Sequence, residues 1–324
     1  MKKKAIITGI TGQDGSYLAD FLLKKNYEIH GIVRRVALED ETHRLWRIKG
    51  LISKIKLHSA SLESYASLVK IIEKIKPTEI YHLAAQSYVS YSFEDEFSTL
   101  NTNINGTHYI LSAIKDFSPK TRFYFAASSE MFGKVEESPQ NENTKFHPRS
   151  AYGISKVAGF DLTRNYRDAY KLYACSGILF NHESPKRGFE FVTKKISISV
   201  AKIKKGYQKE LMLGNINSKR DWGHAKDYVK AMWLMLQQNK PNDFVVGTGK
   251  MHSVKEFAKL AFSRVGLDYK KYVKIDKNLI RPAEVDKLCA NYKKATKLLK
   301  WKPKITFEEL VNEMVDEDLK SLAN

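Results

Sequence analysis

Tyr152 and Lys156 stand four residues apart in the segment Tyr152-Gly153-Ile154-Ser155-Lys156, which reads as the start of a helix. That spacing puts a phenol and an ammonium on one helical face, one turn apart. An unperturbed phenol has a pKa of about 10, and a fixed positive charge beside it favours the phenolate. The pair therefore reads as a base for deprotonating an alcohol. Upstream, the apolar run Phe123-Tyr124-Phe125 reads as a buried strand leading into Ala126-Ala127-Ser128-Ser129-Glu130-Met131-Phe132-Gly133. Ser128, at the end of that strand, offers a hydroxyl to the oxygen that loses its proton. An ordinary amphipathic helix shows the same Tyr-x-x-x-Lys spacing, so its meaning depends on whether the chain also holds a nucleotide cofactor.

The first forty residues carry that signal. A short apolar strand, Ala5-Ile6-Ile7-Thr8, runs into Gly9-Ile10-Thr11-Gly12-Gln13-Asp14-Gly15 and then the amphipathic Ser16 to Leu23. Strand, glycine turn and helix is the context that makes such a motif informative. Gly9 supplies the turn, Gly12 the close approach of a pyrophosphate, and Gly15 the packing of helix on strand. The N–H groups at the helix start receive the phosphate charge. A second strand, Tyr27 to Val33, ends in Arg34-Arg35, where an NAD site would place an acid. Arginine there suits a 2′-phosphate. The polar stretch from Val36 to Gly50, with Arg44, Trp46 and Arg47, reads as an irregular loop that covers the cofactor or touches another subunit.

The elements that must position these groups alternate along the chain. Lys54 to His58 reads as a strand and Leu62 to Ile75 as a helix. Glu79 to Ser87 reads as a strand whose small residues let a flat cofactor lie close, and Thr99 to Ile114 as a helix. A polar loop, 136–150, separates the two catalytic clusters. Tyr173 to Phe180 is a strand ending in Asn181-His182-Glu183-Ser184-Pro185-Lys186-Arg187-Gly188, and strand ends of such sheets are where ligands bind. The alternation predicts an α/β fold with a doubly wound, parallel, Rossmann-like sheet. Residues 1–180 with about 225–250 form that domain, and about 181–224 with 251–324 form a smaller α+β substrate domain. Lys195, Arg220 and Arg281 are isolated cations able to converge on a diphosphate. His182 alone reads as structural, and no partner at metal-ligand spacing accompanies it, so no metal is expected.

Composition narrows the class. The chain has 324 residues, 43% hydrophobic and 28% charged, an ordinary soluble balance with material for one large or two packed domains. No apolar run approaches the roughly 20 residues needed to span a membrane. Thr8, Gln13 and Asp14 interrupt any signal-peptide core after Lys2-Lys3-Lys4, so the start reads as a strand. The two cysteines, Cys175 and Cys289, form no spacing motif and favour a reducing, cytoplasmic setting. The net charge of +19 permits phosphate binding, but the lysines are scattered rather than blocked, which argues against nucleic acid and for an anionic substrate.

With Gly9, Gly12, Gly15, Ser128, Tyr152 and Lys156 in hand, the chain resembles the extended short-chain dehydrogenase/reductases. Within them it resembles the GDP-mannose 4,6-dehydratase family, through GITGQDGSYL (Gly9–Leu18), SSEMFG (Ser128–Gly133), LFNHESPKRG (Leu179–Gly188), KRDWGHAKDYV (Lys219–Val229) and RPAEV (Arg281–Val285). The resemblance implies a lyase that uses NADP to oxidise a hexose at C4, eliminate water across C5 and C6, and reduce C6. It assigns Tyr152 and Lys156, with Ser128, to proton transfer at O4 and Glu130 to the elimination. Around the cofactor it places Gly9, Thr11, Gly12, Gln13, Asp14, Gly15, Arg34, Arg35, Ser61, Leu62, Leu83, Ala84, Ala85, Ser87, His182 and Arg187. Around a GDP-sugar it places Ser87, Glu130, Asn181, Lys195, Gly214, Arg220, Arg281 and Glu284. It further implies a homotetramer or homodimer. Ser128 replaces the Thr that relatives often carry two residues before the catalytic Glu, and Ser61-Leu62 stands where they often carry Asp-Leu. The stretch from Val36 to Arg47 also differs from their Ser-rich version. The same chemistry on a GDP-manno-heptose or a GDP-N-acetylhexosamine stays open, and intact Ser128, Glu130, Tyr152 and Lys156 argue against a cofactor-binding protein without turnover.

Overall fold

In the computed structural model of the chain, residues 2–279 and 287–323 are described; Arg281 and Glu284 lie outside them. Seven parallel strands form one sheet: β1 (Lys4–Thr8), β2 (Glu28–Val33), β3 (Lys56–Ser59), β4 (Glu79–His82), β5 (Arg122–Ser128), β6 (Ala174–Leu179) and β7 (Phe244–Val246). Their order is β7-β6-β5-β4-β1-β2-β3, and every pairing is parallel. The central strands are near-continuous apolar runs because helices cover both faces. Ala5, Ile6 and Ile7 are wholly buried, as are Phe123 and Tyr124, and the two faces carry separate cores. Strand order reverses beside β1, where β4 lies on one side and β2 on the other. That switch point opens a crevice at the carboxyl ends of the strands.

Several boundaries differ from the sequence expectation, each for a local reason. The stretch 36–50 is not irregular: it forms short helical turns at Arg35–Glu39, Glu41–Arg44 and Trp46–Lys54. Asp40 caps the second turn, accepting from the His43 backbone and ring, and Ala37, Leu45 and Ile48 bury themselves in the sheet's core. The strand begun at Glu79 stops at His82, because the Leu83 and Ala84 N–H groups turn to the Thr8 hydroxyl at 3.1 Å each. The helix expected over 99–114 starts at Glu96, behind an Asp95 cap, and widens by one π-turn at Asn101–Asn105 before running on as Gly106–Phe117. That wider turn aims the Asn103 amide at the Gln86 carbonyl and the Ser155 hydroxyl, at 3.0 and 2.9 Å.

A third apolar cluster lies beyond the sheet. Helices Val192–Lys204, Val254–Arg264 and Phe307–Ser321 close over Ile196, Val200, Trp222, Phe257, Phe262 and Met314. Two of these helices begin with reciprocal caps, Ser253 with Glu256 and Thr306 with Glu309, each contributing about 1 kcal/mol. Among the described residues, no helix is long and apolar enough to cross a membrane.

Candidate active site

The glycine turn after β1 is built by contact distances. Gly9 takes φ of +71°, and a Cβ there would lie 2.9 Å from the Ala84 backbone. A Cβ on Gly15 would lie 2.3 Å from the Gly9 carbonyl oxygen, so only glycine lets the helix Gln13–Lys24 seat against the turn. Gly12 differs. It caps the helix with extended backbone and no side-chain cap, and a Cβ would meet only the Gly9 oxygen, at 3.2 Å. The first-turn N–H groups are thereby open to the cleft, the cradle a pyrophosphate requires.

Beside that cradle, the protonation state of His182 follows from its partners. Nδ1 lies 2.8 Å from the Phe180 carbonyl oxygen and Nε2 lies 2.7 Å from Asp14 Oδ2. A carbonyl and a carboxylate only accept, so both ring nitrogens donate and the ring is an imidazolium. Burial works to lower its pKa, but the Asp14 charge and hydrogen bond outweigh it and the net shift is upward. Asp14 mirrors this: burial pushes up, while His182 and a Gln13 bond hold the carboxyl below its usual value. Gln13 also ties the turn to the end of β6, donating to the His182 carbonyl at 3.1 Å and accepting from Ser184 at 2.7 Å.

Ser128, Glu130, Tyr152 and Lys156 gather at the end of β5. The helix Ala151–Tyr170 starts behind a Ser150 cap that accepts from the Gly153 N–H at 3.0 Å. Gly153 is needed there, since a Cβ would stand 2.9 Å from the Glu130 carbonyl oxygen. Lys156, 4% exposed, donates to the Ala126 carbonyl at 2.8 Å, its ammonium 5.7 Å from the centre of the Tyr152 ring. Glu130 donates its backbone N–H to the Ser128 hydroxyl at 3.2 Å. The expected lowering of the phenol by Lys156 is not found. Burial pushes Tyr152 up to about 12, a Ser128 hydrogen bond pulls it down, and the Glu130 charge adds to the rise. Burial also pushes Lys156 down to about 8.

One cleft of about 390 Å³ gathers most of the expected residues. Gly9, Gly12, Gln13, Asp14, Gly15, Leu83, Ala85, Ser87, His182 and Arg187 line one side of it. Ser128, Glu130, Tyr152 and Lys156 line its centre, and Asn181, Lys195, Gly214 and Arg220 the far side. Thr11, Ala84, Ser61, Leu62, Arg34 and Arg35 do not line it. Thr11 turns its carbonyl outward to Arg47 at 3.3 Å, and Leu62 packs against Gly106. Arg34 and Arg35 stand exposed past β2, with Arg35 paired to Glu39. Sequence reading missed the buried Glu183, which accepts from Thr193 at 2.5 Å and lies 2.9 Å from Arg187 Nε, without hydrogen-bond alignment. It named Arg47 only as part of a covering or subunit-contact loop; here the Arg47 Nε donates to the Lys186 carbonyl at 2.7 Å. Arg47 has no spacing signal, because Lys186 lies 139 residues away, whereas the partners of Glu183 stand only four and ten residues on, at Arg187 and Thr193.

The profile of the family described as GDP-mannose 4,6 dehydratase matches residues 6–314. The chain belongs to that family. It is similar to GDP-mannose 4,6 dehydratase 1 of Arabidopsis thaliana, 51% identical over 98% of this chain and 90% of the relative. The fold is also that of the dTDP-glucose 4,6-dehydratase of Bacillus anthracis in complex with NAD (TM-score 0.85, 20% identity, 99% and 98% of the two chains). RMD from Pseudomonas aeruginosa complexed with NADPH shares it too (TM-score 0.84, 22% identity, 99% and 100% of the two chains).

The Asp14–His182 pair yields a pH prediction. Its contribution on the histidine side is full below pH 6.5 and lost as pH rises through the raised folded value. On the aspartate side it is present above pH 3.8 and lost as pH falls through the lowered one. In NMR titrations of histidine-labelled protein, His182 holds its proton above pH 6.5. Asp14→Asn, which leaves burial opposed only by the Phe180 carbonyl bond, brings the midpoint below it. A midpoint at or under 6.5 in the unmutated protein contradicts the assignment.

Proposed function

We propose that this protein converts GDP-mannose to GDP-4-keto-6-deoxymannose, using the cluster at the end of β5. The observation that carries the reading is that the Glu130 carboxylate and the Tyr152 phenol face one cleft closely enough for the Glu130 charge to raise the phenol. A simple 4-epimerisation needs only the Tyr/Lys pair; a carboxylate beside it supplies a second acid/base. Tyr152 takes the O4 proton, with Ser128 hydrogen-bonded to the phenol. Glu130 removes the C5 proton once C4 is a ketone, and returns a proton to the departing C6 hydroxyl. Asn181, Lys195, Gly214 and Arg220 hold the nucleotide sugar, and Arg281 and Glu284 join them by the family resemblance. Lys195 and Arg220 are the cations for its diphosphate.

The cofactor in this reading is NADP, on the open cradle at Gly12, with Arg34 and Arg35 beyond β2 for a 2′-phosphate. When bound, it supplies the hydride acceptor at C4 and the donor at C6, together with a positive ring that favours the phenolate. Neighbours of this fold are complexed with NADPH and with NAD, so the choice of NADP rests on Arg34 and Arg35. The chain also forms a homo-oligomer, a tetramer or dimer, through the exposed Val36, Leu38 and Trp46 of the turns after β2.

Tyr152→Phe lacks the base for the first step and loses about 10²–10⁴ in rate. Glu130→Gln still passes deuteride from C4-deuterated GDP-mannose to the cofactor, yet makes little 6-deoxy product. Loss of deuteride transfer in Glu130→Gln as complete as in Tyr152→Phe, with binding intact, would show the roles are misassigned. For the cofactor, NADP(H) binds more tightly than NAD(H) and Arg34→Asp narrows the gap; equal dissociation constants in the unmutated protein refute it. Light scattering at micromolar concentration reports more than one subunit, and a monomer rules out the assembly.

A further inference from the structure

The start of the helix Val192–Lys204 sends neighbouring side chains in opposite directions. Thr193 and Lys195 line the cleft, while Lys194 between them is buried at 4% exposure. Its ammonium has three neighbours from two parts of the chain. It donates to the Pro185 carbonyl at 2.9 Å, pairs with Asp318 Oδ1, and stands 5.6 Å from the centre of the Phe189 ring. Asp318, 3% exposed on the helix Phe307–Ser321, accepts from the Ser197 hydroxyl with its other oxygen at 2.6 Å. Neither Lys194 nor Asp318 lines the cleft.

Packing of the third core needs no ion pair here, since buried pairs are often replaceable by apolar residues of similar volume without loss of stability. The bond to the Pro185 carbonyl is what such a replacement could not reproduce. Pro185 lies in the segment that carries Asn181, His182 and Arg187, and the Lys186 and Arg187 N–H groups bond the Ser184 side chain and carbonyl at 3.1 and 3.0 Å. We propose that the buried Lys194–Asp318 pair is a positioning device: the terminal helix, through one ammonium, sets segment 181–188 and the adjoining Lys195 for the diphosphate of the nucleotide sugar. This rests on the GDP-sugar reading above. Tyr152 and Glu130 stand on other elements, so the device acts on binding and leaves proton transfer alone.

The test is the double variant Lys194→Met, Asp318→Leu, which removes both charges and keeps side-chain bulk. It keeps its thermal midpoint and its kcat. Its KM for GDP-mannose and its calorimetric Kd for GDP both rise about tenfold, within the range of such couplings. Exchange of the Lys186 and Arg187 amides quickens without any ligand, while helix Phe307–Ser321 exchanges as before. Unchanged exchange at those amides, unchanged KM and Kd, or a fall in kcat alone each overturns the proposal. Asp318→Asn, which keeps shape and the Ser197 bond, shows the same direction to a smaller degree and serves if the double variant does not fold. Faster amide exchange in a protein inert towards GDP-mannose would sink the functional reading and leave the positioning device standing.

Discussion

Lys156 donating to the Ala126 carbonyl at 2.8 Å is the contact on which the reactive geometry depends. The ammonium is buried, so it must keep a strong acceptor, and the end of β5 provides one on its own backbone. That bond draws the helix Ala151–Tyr170 onto the strand until Gly153 all but touches the Glu130 carbonyl. Tyr152 and Glu130 are thus spaced by main chain against main chain, which has no rotamers to search. Burial that close also has an electrical result. It raises the phenol to about 12 and lowers the ammonium to about 8, so each is drawn towards its neutral form.

The same logic accounts for where the acids are. The chain carries 36 acidic against 55 basic residues, yet its buried carboxylates sit at joints between elements. Asp243 holds Arg167 through two bonds of 2.9 and 2.7 Å and accepts from the Ser176 N–H. Asp221 accepts from the Thr248, Gly249 and Ala290 N–H groups, fixing the strand that carries Arg220. Glu79 joins Tyr27, Tyr81 and Gln237 under the sheet. With these acids committed inside, the excess positive charge falls on the surface.

Much of this was legible in the chain because the informative features are local. A strand, a glycine turn and a helix follow one another within twenty residues, and a Tyr and a Lys one turn apart must share a face. The parallel, doubly wound sheet follows from the βα alternation, though its strand order does not, and the resemblance carried the sites further. What was not legible involves contacts between distant positions. Residues 36–50 look polar, yet three spaced apolar side chains, Ala37, Leu45 and Ile48, are enough to fold them into helical turns against the core. The one-turn rule brings Lys156 to Tyr152 but says nothing of Ala126, thirty residues away, or of the burial that overrides the expected pKa. Lys194 and Asp318 lie 124 residues apart, with no periodicity linking them.

The two halves of the cleft are therefore held by different kinds of contact. Around Tyr152 and Glu130 the constraints are backbone approaches and a buried ammonium, all within one strand and the helix after it. Around residues 181–195 they are side-chain ties reaching out to other elements: Gln13 to His182 and Ser184, Arg47 to Lys186, Lys194 to Pro185. A side-chain tie can be shifted by one substitution, whereas a main-chain contact can move only with its strand. A fold arranged this way lets distant residues shift the segment 181–195 while Tyr152 and Glu130 keep their spacing. On the proposed reading, the proton-transfer pair is held by the sheet and the nucleotide sugar is gripped by the segment that joins the sheet to the third core.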